Sequence, residues 1–215
     1  MVKKEPVVIS IQALRRMPYY LQYLKGLYQQ EIKTVAAPAM AQHFGLNEVQ
    51  VRKDLAAVSK VQGKPRAGFC VADLIRDMEE FLGYHIVDDA VLVGVGLLGK
   101  SLLSYKGFEE YGVKIVAAFD NDKKLVGTEI DNHKVLAAGT ISDICRRLKT
   151  HIGIIAVPSK EAQIVCDQLI AGGVLAIWNF APVHLSVPEH ILVQNENMAA
   201  SLALLSNHLR EKMQM

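Results

Sequence analysis

Two groups of residues have the types and spacing to do chemistry. The first is the run Gly94-Val95-Gly96-Leu97-Leu98-Gly99, with Asp120 following 26 positions after Gly94. In such a run the first glycine permits a tight turn, the second lets backbone approach a phosphate closely, and the third lets a helix pack against a strand. A helix that starts inside the loop turns its N–H groups and positive dipole end toward the phosphates. A carboxylate roughly 20 residues further on accepts hydrogen bonds from ribose hydroxyls and repels a 2′-phosphate. Together these residues suit a dinucleotide, NAD(H) in preference to its phosphorylated form. The second group is Gln50, Arg52 and Lys53, followed by Lys64 and Arg66. One amide and two cations on the open side of a short helix suit base edges and phosphates in the major groove of double-stranded DNA. Lys64 and Arg66, bracketed by Gly63 and Gly68 and stiffened by Pro65, suit a β-hairpin wing that touches phosphates or the minor groove.

Charge is divided in the same way. Residues 1–70 hold 11 Lys/Arg against 4 Asp/Glu, whereas residues 71–215 hold 13 against 18, within a net charge of +2. A basic first third joined to an acidic remainder directs the first third toward a polyanion.

The elements that must position these groups follow from periodicity. Residues 10–30 predict a helix capped by Ser10, with Ile11, Leu14, Met17, Leu21, Leu24 and Leu27 at helical spacing and a kink or short break expected near Pro18. A second helix runs from Pro38 to Phe44 and stops at Gly45. Asn47 then caps a third over 48–59 whose apolar positions are Val51, Leu55 and Val58. Two short helices joined at a glycine form a helix-turn-helix, with Gln50, Arg52 and Lys53 opposite Val51 and Leu55. A further amphipathic helix covers 71–82 and ends at Gly83. From residue 90 onward strands and helices alternate. Strands are expected at 90–93, 114–119, 135–137, 152–157, 174–179 and 191–194. Helices are expected from the glycine run to Tyr111, at 141–149 and at 160–171. This is the pattern of a Rossmann-like, doubly wound parallel sheet covered on both faces. Val157-Pro158 and Asn179-Phe180-Ala181-Pro182 follow apolar strands, so both segments are expected at the crevice beyond the strand ends, with Phe180 either beside a nicotinamide or part of the core. A last helix over 197–209 carries Met198, Leu202, Leu205 and Leu209 on one side, suited to docking on a partner subunit or on its own domain. The α/β chain therefore reads as a winged helix-turn-helix domain (1–83), a dinucleotide-binding domain (84–196) and a terminal helix (197–215).

Other classes are excluded. No apolar run reaches the roughly 18 residues of a membrane span, and the N-terminal residues do not read as a secretory signal. Cys70, Cys145 and Cys166 are too widely spaced for a metal clamp and read as reduced thiols of a cytoplasmic protein. The seven histidines show neither HxxxH nor HExxH spacing, and none lies near a GxSxG motif. Without a substrate lobe beside the dinucleotide domain, the chain does not read as an enzyme.

The segments RMPYYLQYL (16–24), QVRKDL (50–55), VGVGLLG (93–99), LLSYKGF (102–108), AAFDND (117–122), VPSKEAQ (157–163) and NFAPVHLSVP (179–188), in this order, resemble the bacterial Rex family of redox-sensing transcriptional repressors along essentially the whole chain. The resemblance implies a homodimer with exchanged C-terminal helices, operator DNA bound by the N-terminal domain, and release of that DNA when NADH binds. It implies that Arg52 and Lys53 read the groove and that Lys64 and Arg66 serve the wing. It also implies that the glycine run holds the pyrophosphate, that Asp120 holds the ribose, and that Tyr105 lies near the nicotinamide with the 180–182 segment. The family's loop asparagine corresponds to Leu97, and its Arg–Asp switch pair to Gln22 and Asn197. Its Ser-Tyr-Phe-Gly corresponds to residues 56–59 (Ala-Ala-Val-Ser), and its wing glycine to Ala67. Two alternatives stay open on the residues alone. One is a Rex-like regulator with weakened or lost redox sensing. The other is a small NAD- or CoA-binding enzyme, which leaves the basic 50–66 segment unexplained.

Overall fold

The computed structural model describes residues 9–61, 68–84 and 88–213. The chain divides into two compact units, Met1–Ile86 and Val87–Met215, and the terminal helix is counted with the second.

The first unit opens with α1 (Ile11–Gln29), capped by Ser10, whose hydroxyl accepts from the Ala13 N–H at 3.2 Å. The helix runs through Pro18 unbroken. Met17, Tyr20, Leu21 and Leu24 on one side are almost fully buried, and that packing offsets the roughly 3 kcal/mol that an interior proline costs. The buried stripe begins at Ala13 rather than at Ile11 and Leu14, which are exposed. Strand β1 (Thr34–Val35) precedes α2 (Ala37–Phe44), and Gly45, at φ 63°, ends that helix in the left-handed conformation. Asn47 then accepts from the Val49 N–H at 2.8 Å and starts α3 (Glu48–Val58). Strand β2 (Phe69–Cys70) pairs antiparallel with β1, and α4 (Val71–Leu82) follows, ended by Gly83 at φ 76°. Leu24, Met40, Val51, Leu55, Leu74 and Met78 form the core of this unit. Of the expected wing, Lys64 and Arg66 lie outside the described residues.

The second unit is built on a seven-stranded sheet. Its strands are β3 (Asp88–Val93), β4 (Val113–Asp120), β5 (Glu129–Ile130), β6 (His133–Ala137), β7 (Ile152–Ile155), β8 (Ala176–Asn179) and β9 (Leu192–Asn195), in the order β5-β6-β4-β3-β7-β8-β9. Every pair is parallel except β5–β6. The helices are α5 (Leu97–Leu103), α6 (Gly107–Glu110), α7 (Ile141–Leu148), α8 (Ser159–Ala171) and α9 (Met198–Met213). Alternate β3 residues serve two cores: Val91 and Val93 pack with Ile141, Cys145 and Leu169, while Ala90 and Leu92 pack with Leu103 and Val135. Both faces are thus covered, as a parallel sheet requires. The helix expected to reach Tyr111 ends at Leu103, and the Tyr105 ring fills the space beside Gly107, 2.5 Å from where a Cβ would sit. The chain resumes as α6 only after that turn. The β5–β6 hairpin was not expected. It turns on Asp131 and Asn132, both at positive φ (48° and 62°), a pair of residue types that tolerates this conformation. On α9, Leu202, Leu204, Leu205 and Leu209 are exposed.

Candidate functional site

In the second unit, register places the site. Val93 is level with Phe119 on β4 and Ile155 on β7, so Gly94, Asp120 and Ala156 leave the sheet side by side. After β6 the chain returns to the other side of β3 to form β7. The carboxyl ends of β3 and β7 are therefore a topological switch point, where such sheets bind ligands. A crevice of about 500 Å³ opens there, lined among others by Gly94, Gly96, Leu98, Asp120, Val157 and Phe180.

Two of the three glycines sit where a tight turn and close packing require them. Gly94 sits at φ 97°, and a Cβ there would lie 2.6 Å from the Ala156 carbonyl oxygen. A Cβ on Gly99 would lie 1.9 Å from the Gly94 carbonyl oxygen, so α5 rests directly on the loop. Gly96 faces open space, leaving room for a pyrophosphate against backbone. Leu97 is 92% exposed at the first position of α5. Val95 is buried and outside the lining, and its N–H donates to the Asp120 carboxylate at 2.7 Å. The other Asp120 oxygen accepts from the Asp122 N–H at 2.8 Å. Asp120 therefore clamps the loop and the turn after β4, and each oxygen retains a second lone pair for a ribose hydroxyl.

The far wall divides differently from expectation. Pro158 lines the crevice beside Val157. Asn179 is fully buried. Its Nδ2 group donates to the Val183 carbonyl at 3.0 Å and to Asn195 Oδ1 at 2.9 Å, while its own oxygen accepts from the Ala181 N–H at 3.0 Å. It shapes the turn that presents Phe180, with Ala181 buried beneath and Pro182 exposed outside the lining. Tyr105 is not in the crevice wall either. It lies at one end of a row of ring contacts, Tyr105–Phe108–Trp178–Phe180, with centroids 4.9, 5.6 and 4.6 Å apart. Asn121 and Glu161 are among the lining residues that the sequence did not single out. Asn121 Nδ2 donates to Glu161 Oε2 at 3.0 Å, joining the turn after β4 to α8 at the crevice rim. Their only signal is adjacency, Asn121 to Asp120 and Glu161 to the Val157-Pro158 strand end.

In the first unit Arg52 and Lys53 are exposed on α3, and Arg52 pairs with Glu48 one turn earlier. An exposed pair of this kind adds little stability and leaves the guanidinium available to a phosphate or base. Gln50 is half-buried against α1. A network that sequence reading missed lies beneath it. Asp54 is 6% exposed and accepts from Arg16 Nε at 2.9 Å, from Arg16 Nη2 at 3.0 Å and from the Tyr20 hydroxyl at 3.0 Å. One aspartate thus fastens α3 to α1 through a bidentate pair. Burial, followed by Asp54, pushes the Tyr20 phenol up to about 12. The fold therefore holds this proton more tightly than the unfolded chain does at about 10. The associated stability is complete below pH 10 and lost as pH rises through about 12. The urea midpoint is expected to fall between pH 10 and 12, with Tyr20→Phe flattening that fall; equal pH profiles for the two proteins would contradict it.

Gln22 is exposed on α1. Asn197 accepts from the Ala200 N–H at 2.9 Å at the start of α9. Among the described residues no cluster of ligating side chains could hold a metal ion, and no helix is long and apolar enough to cross a membrane. Burial raises the Cys145 and Cys166 thiols, the latter to about 11, so neither is a reactive thiolate near neutral pH.

A helix-turn-helix unit joined to a doubly wound sheet with a nucleotide crevice defines, as a class, a ligand-responsive DNA-binding regulator. Comparison with known proteins narrows the class. The family described as "CoA binding domain" matches residues 88–183, and that described as "Putative DNA-binding protein N-terminus" matches residues 8–56. The Redox-sensing transcriptional repressor Rex of Porphyromonas gingivalis is 39% identical over 197 residues, spanning 92% of this chain and 90% of that protein. Two crystal structures of RSP, a Rex-family repressor, are similar at 30% identity. RSP in complex with beta-NAD+ and operator DNA gives a TM-score of 0.90, covering 96% of this chain and 94% of that one. RSP in complex with beta-NADH gives 0.85, covering 96% of each. The chain belongs to the Rex family of redox-sensing transcriptional repressors.

Proposed function

We propose that this protein is an NAD(H)-responsive transcriptional repressor that binds operator DNA as a homodimer and releases it when NADH binds. The observation that carries the proposal is the presence in one chain of two fitted sites: an α3 with exposed Arg52 and Lys53 and half-buried Gln50, and a crevice at the β3/β7 switch point with Gly94, Gly96 and Asp120 at its mouth. Its relatives are named for repression, and RSP has been crystallised with operator DNA and with both nicotinamide dinucleotides. Residues 1–83 form the operator-binding domain, with Gln50, Arg52 and Lys53 in the groove and Lys64 and Arg66 on the wing. Residues 84–196 form the sensor. There Gly94 to Gly99 bear the pyrophosphate, Asp120 the adenosine ribose and Phe180 the nicotinamide. Tyr105, Val157, Pro158 and the 179–182 turn support that end. The exposed leucines of α9 cover a partner subunit. The protein acts in the cytoplasm and performs no catalysis; it reports a ratio by binding the two dinucleotides unequally.

Trp178 supplies the test. It lies 4.6 Å, ring to ring, from Phe180 on the crevice wall, close enough for its emission to be quenched by energy transfer to bound NADH. Titration with NADH is expected to quench Trp178 and raise NADH emission, with NAD⁺ in excess competing only weakly. No quenching, or equal affinity for the two forms, would contradict the sensor.

A further inference from the structure

Arginine offers five N–H donors in a planar fork and no acceptor. Arg16 gives one edge of its fork, Nε and Nη2, to Asp54. The other edge, Nη1 and Nη2, meets the end of the Gln50 amide at 3.0 and 3.1 Å, and both groups find an acceptor there once the amide is turned to put its oxygen toward them. Only the oxygen of that amide can face an all-donor edge. The guanidinium cannot swing away without leaving Asp54, which is 6% exposed and shared with Tyr20. A buried anion on α3 therefore sets the orientation of an amide on the same helix, by way of an arginine on α1.

We propose that Arg16 is a positioning residue for operator readout, and that it makes Gln50 a donor-only reader that selects guanine and rejects adenine at the base it meets. The inference rests on the DNA-binding reading above. A free glutamine pairs bidentately with adenine, accepting from N6 and donating to N7. With its oxygen committed to Arg16, Gln50 presents only its NH₂ group. Guanine shows that group two acceptors, O6 and N7. Adenine sets its N6 donor against it and leaves a polar contact unmade. The discrimination expected from one such contact is roughly 5- to 100-fold.

The test uses the full chain and duplexes selected by it from a randomised pool. Each base pair of a selected duplex is then substituted, and affinities are measured by fluorescence anisotropy at fixed salt for the wild type, Gln50→Ala and Arg16→Lys. A lysine keeps a charge beside Asp54 but is a single ammonium, unable to span both the carboxylate and the amide oxygen. One position per half-site is expected to lose its base preference in Gln50→Ala. There the wild type favours guanine over adenine by roughly 5-fold or more, and 7-deazaguanine, lacking the N7 acceptor, weakens the wild type but not Gln50→Ala. Arg16→Lys narrows the guanine-to-adenine ratio at that position alone; if Arg16→Lys fails to fold, the Gln50→Ala and 7-deazaguanine comparisons decide. A preference for adenine at the Gln50-dependent position, or a selected sequence with no Gln50-dependent position, overturns the inference and leaves the repressor reading standing. Failure to select any sequence overturns both.

Discussion

Replacing Asp54 with alanine is expected to destabilise the first unit by about 2–4 kcal/mol and to weaken operator binding by well over ~10-fold. The cause is local. Asp54 is the common acceptor for Arg16 and Tyr20 and joins α3 to α1. Without it a cation and a phenol are left facing an apolar core, and removing one partner of a buried pair costs more than the pair contributes. The cost sits below the upper end of the range for such losses because the Arg16 side chain retains 20% of its exposure, so water can reach it. Urea denaturation followed by circular dichroism measures the first effect and operator titration the second. Changing both residues to leucine separates them. Arg16→Leu with Asp54→Leu is expected to regain much of the stability, since an apolar pair fills the same space, but not the affinity, since the orientation of Gln50 is lost. A double variant that bound its operator normally would show that the network only stabilises.

Gly99→Ala is expected to disable the sensor while leaving ligand-free operator binding near wild type. A Cβ at Gly99 would lie 1.9 Å from the Gly94 carbonyl oxygen. Gly94 cannot retreat: its N–H donates to Phe119 at 2.8 Å, and Ala156 stands behind it. The start of α5 must move instead, carrying its free N–H groups away from the pyrophosphate position. Overpacking of this kind costs about 1–3 kcal/mol, which as lost NADH affinity is roughly 5- to 150-fold. Calorimetric titration with NADH reads the loss directly. Retained NADH affinity in a folded Gly99→Ala protein would place the dinucleotide elsewhere.

How much of this was legible follows from how local each feature is. The glycine loop, the switch-point crevice and Asp120 could be read because strand, loop, helix and acidic strand end follow one another within some thirty residues, each with its own local signal. Asn47 and Gly45 marked the helix-turn-helix for the same reason. The Arg16–Asp54–Tyr20 network could not be read as a contact, because its partners are 34 to 38 residues apart. A sign was nevertheless present. Asp54 falls at i+3 from Val51 and beside Leu55, inside the apolar stripe of α3, and a charge in that position requires a partner. Asp77 on α4 follows the same pattern after Leu74; it is 1% exposed and accepts the Lys60 N–H at 2.8 Å. The break after Leu103 was hidden because no proline marks it in the sequence; the Tyr105 ring packs over Gly107 where α6 begins. Asn179 carried the opposite error: a polar residue at a strand end resembles a ligand contact, yet its hydrogen bonds go to the turn it shapes and to Asn195 on β9.

The central claim is a coupling between two ligands, and coupling is reciprocal. The most direct measurement is operator affinity of the purified protein by anisotropy, at one salt concentration, without dinucleotide, with saturating NAD⁺ and with saturating NADH. NADH is expected to weaken operator binding by about 5- to 150-fold relative to NAD⁺, and operator DNA to lower the NADH-to-NAD⁺ affinity ratio by the same factor. Equal operator affinity under the two dinucleotides would show that the crevice, whatever it binds, does not report to α3.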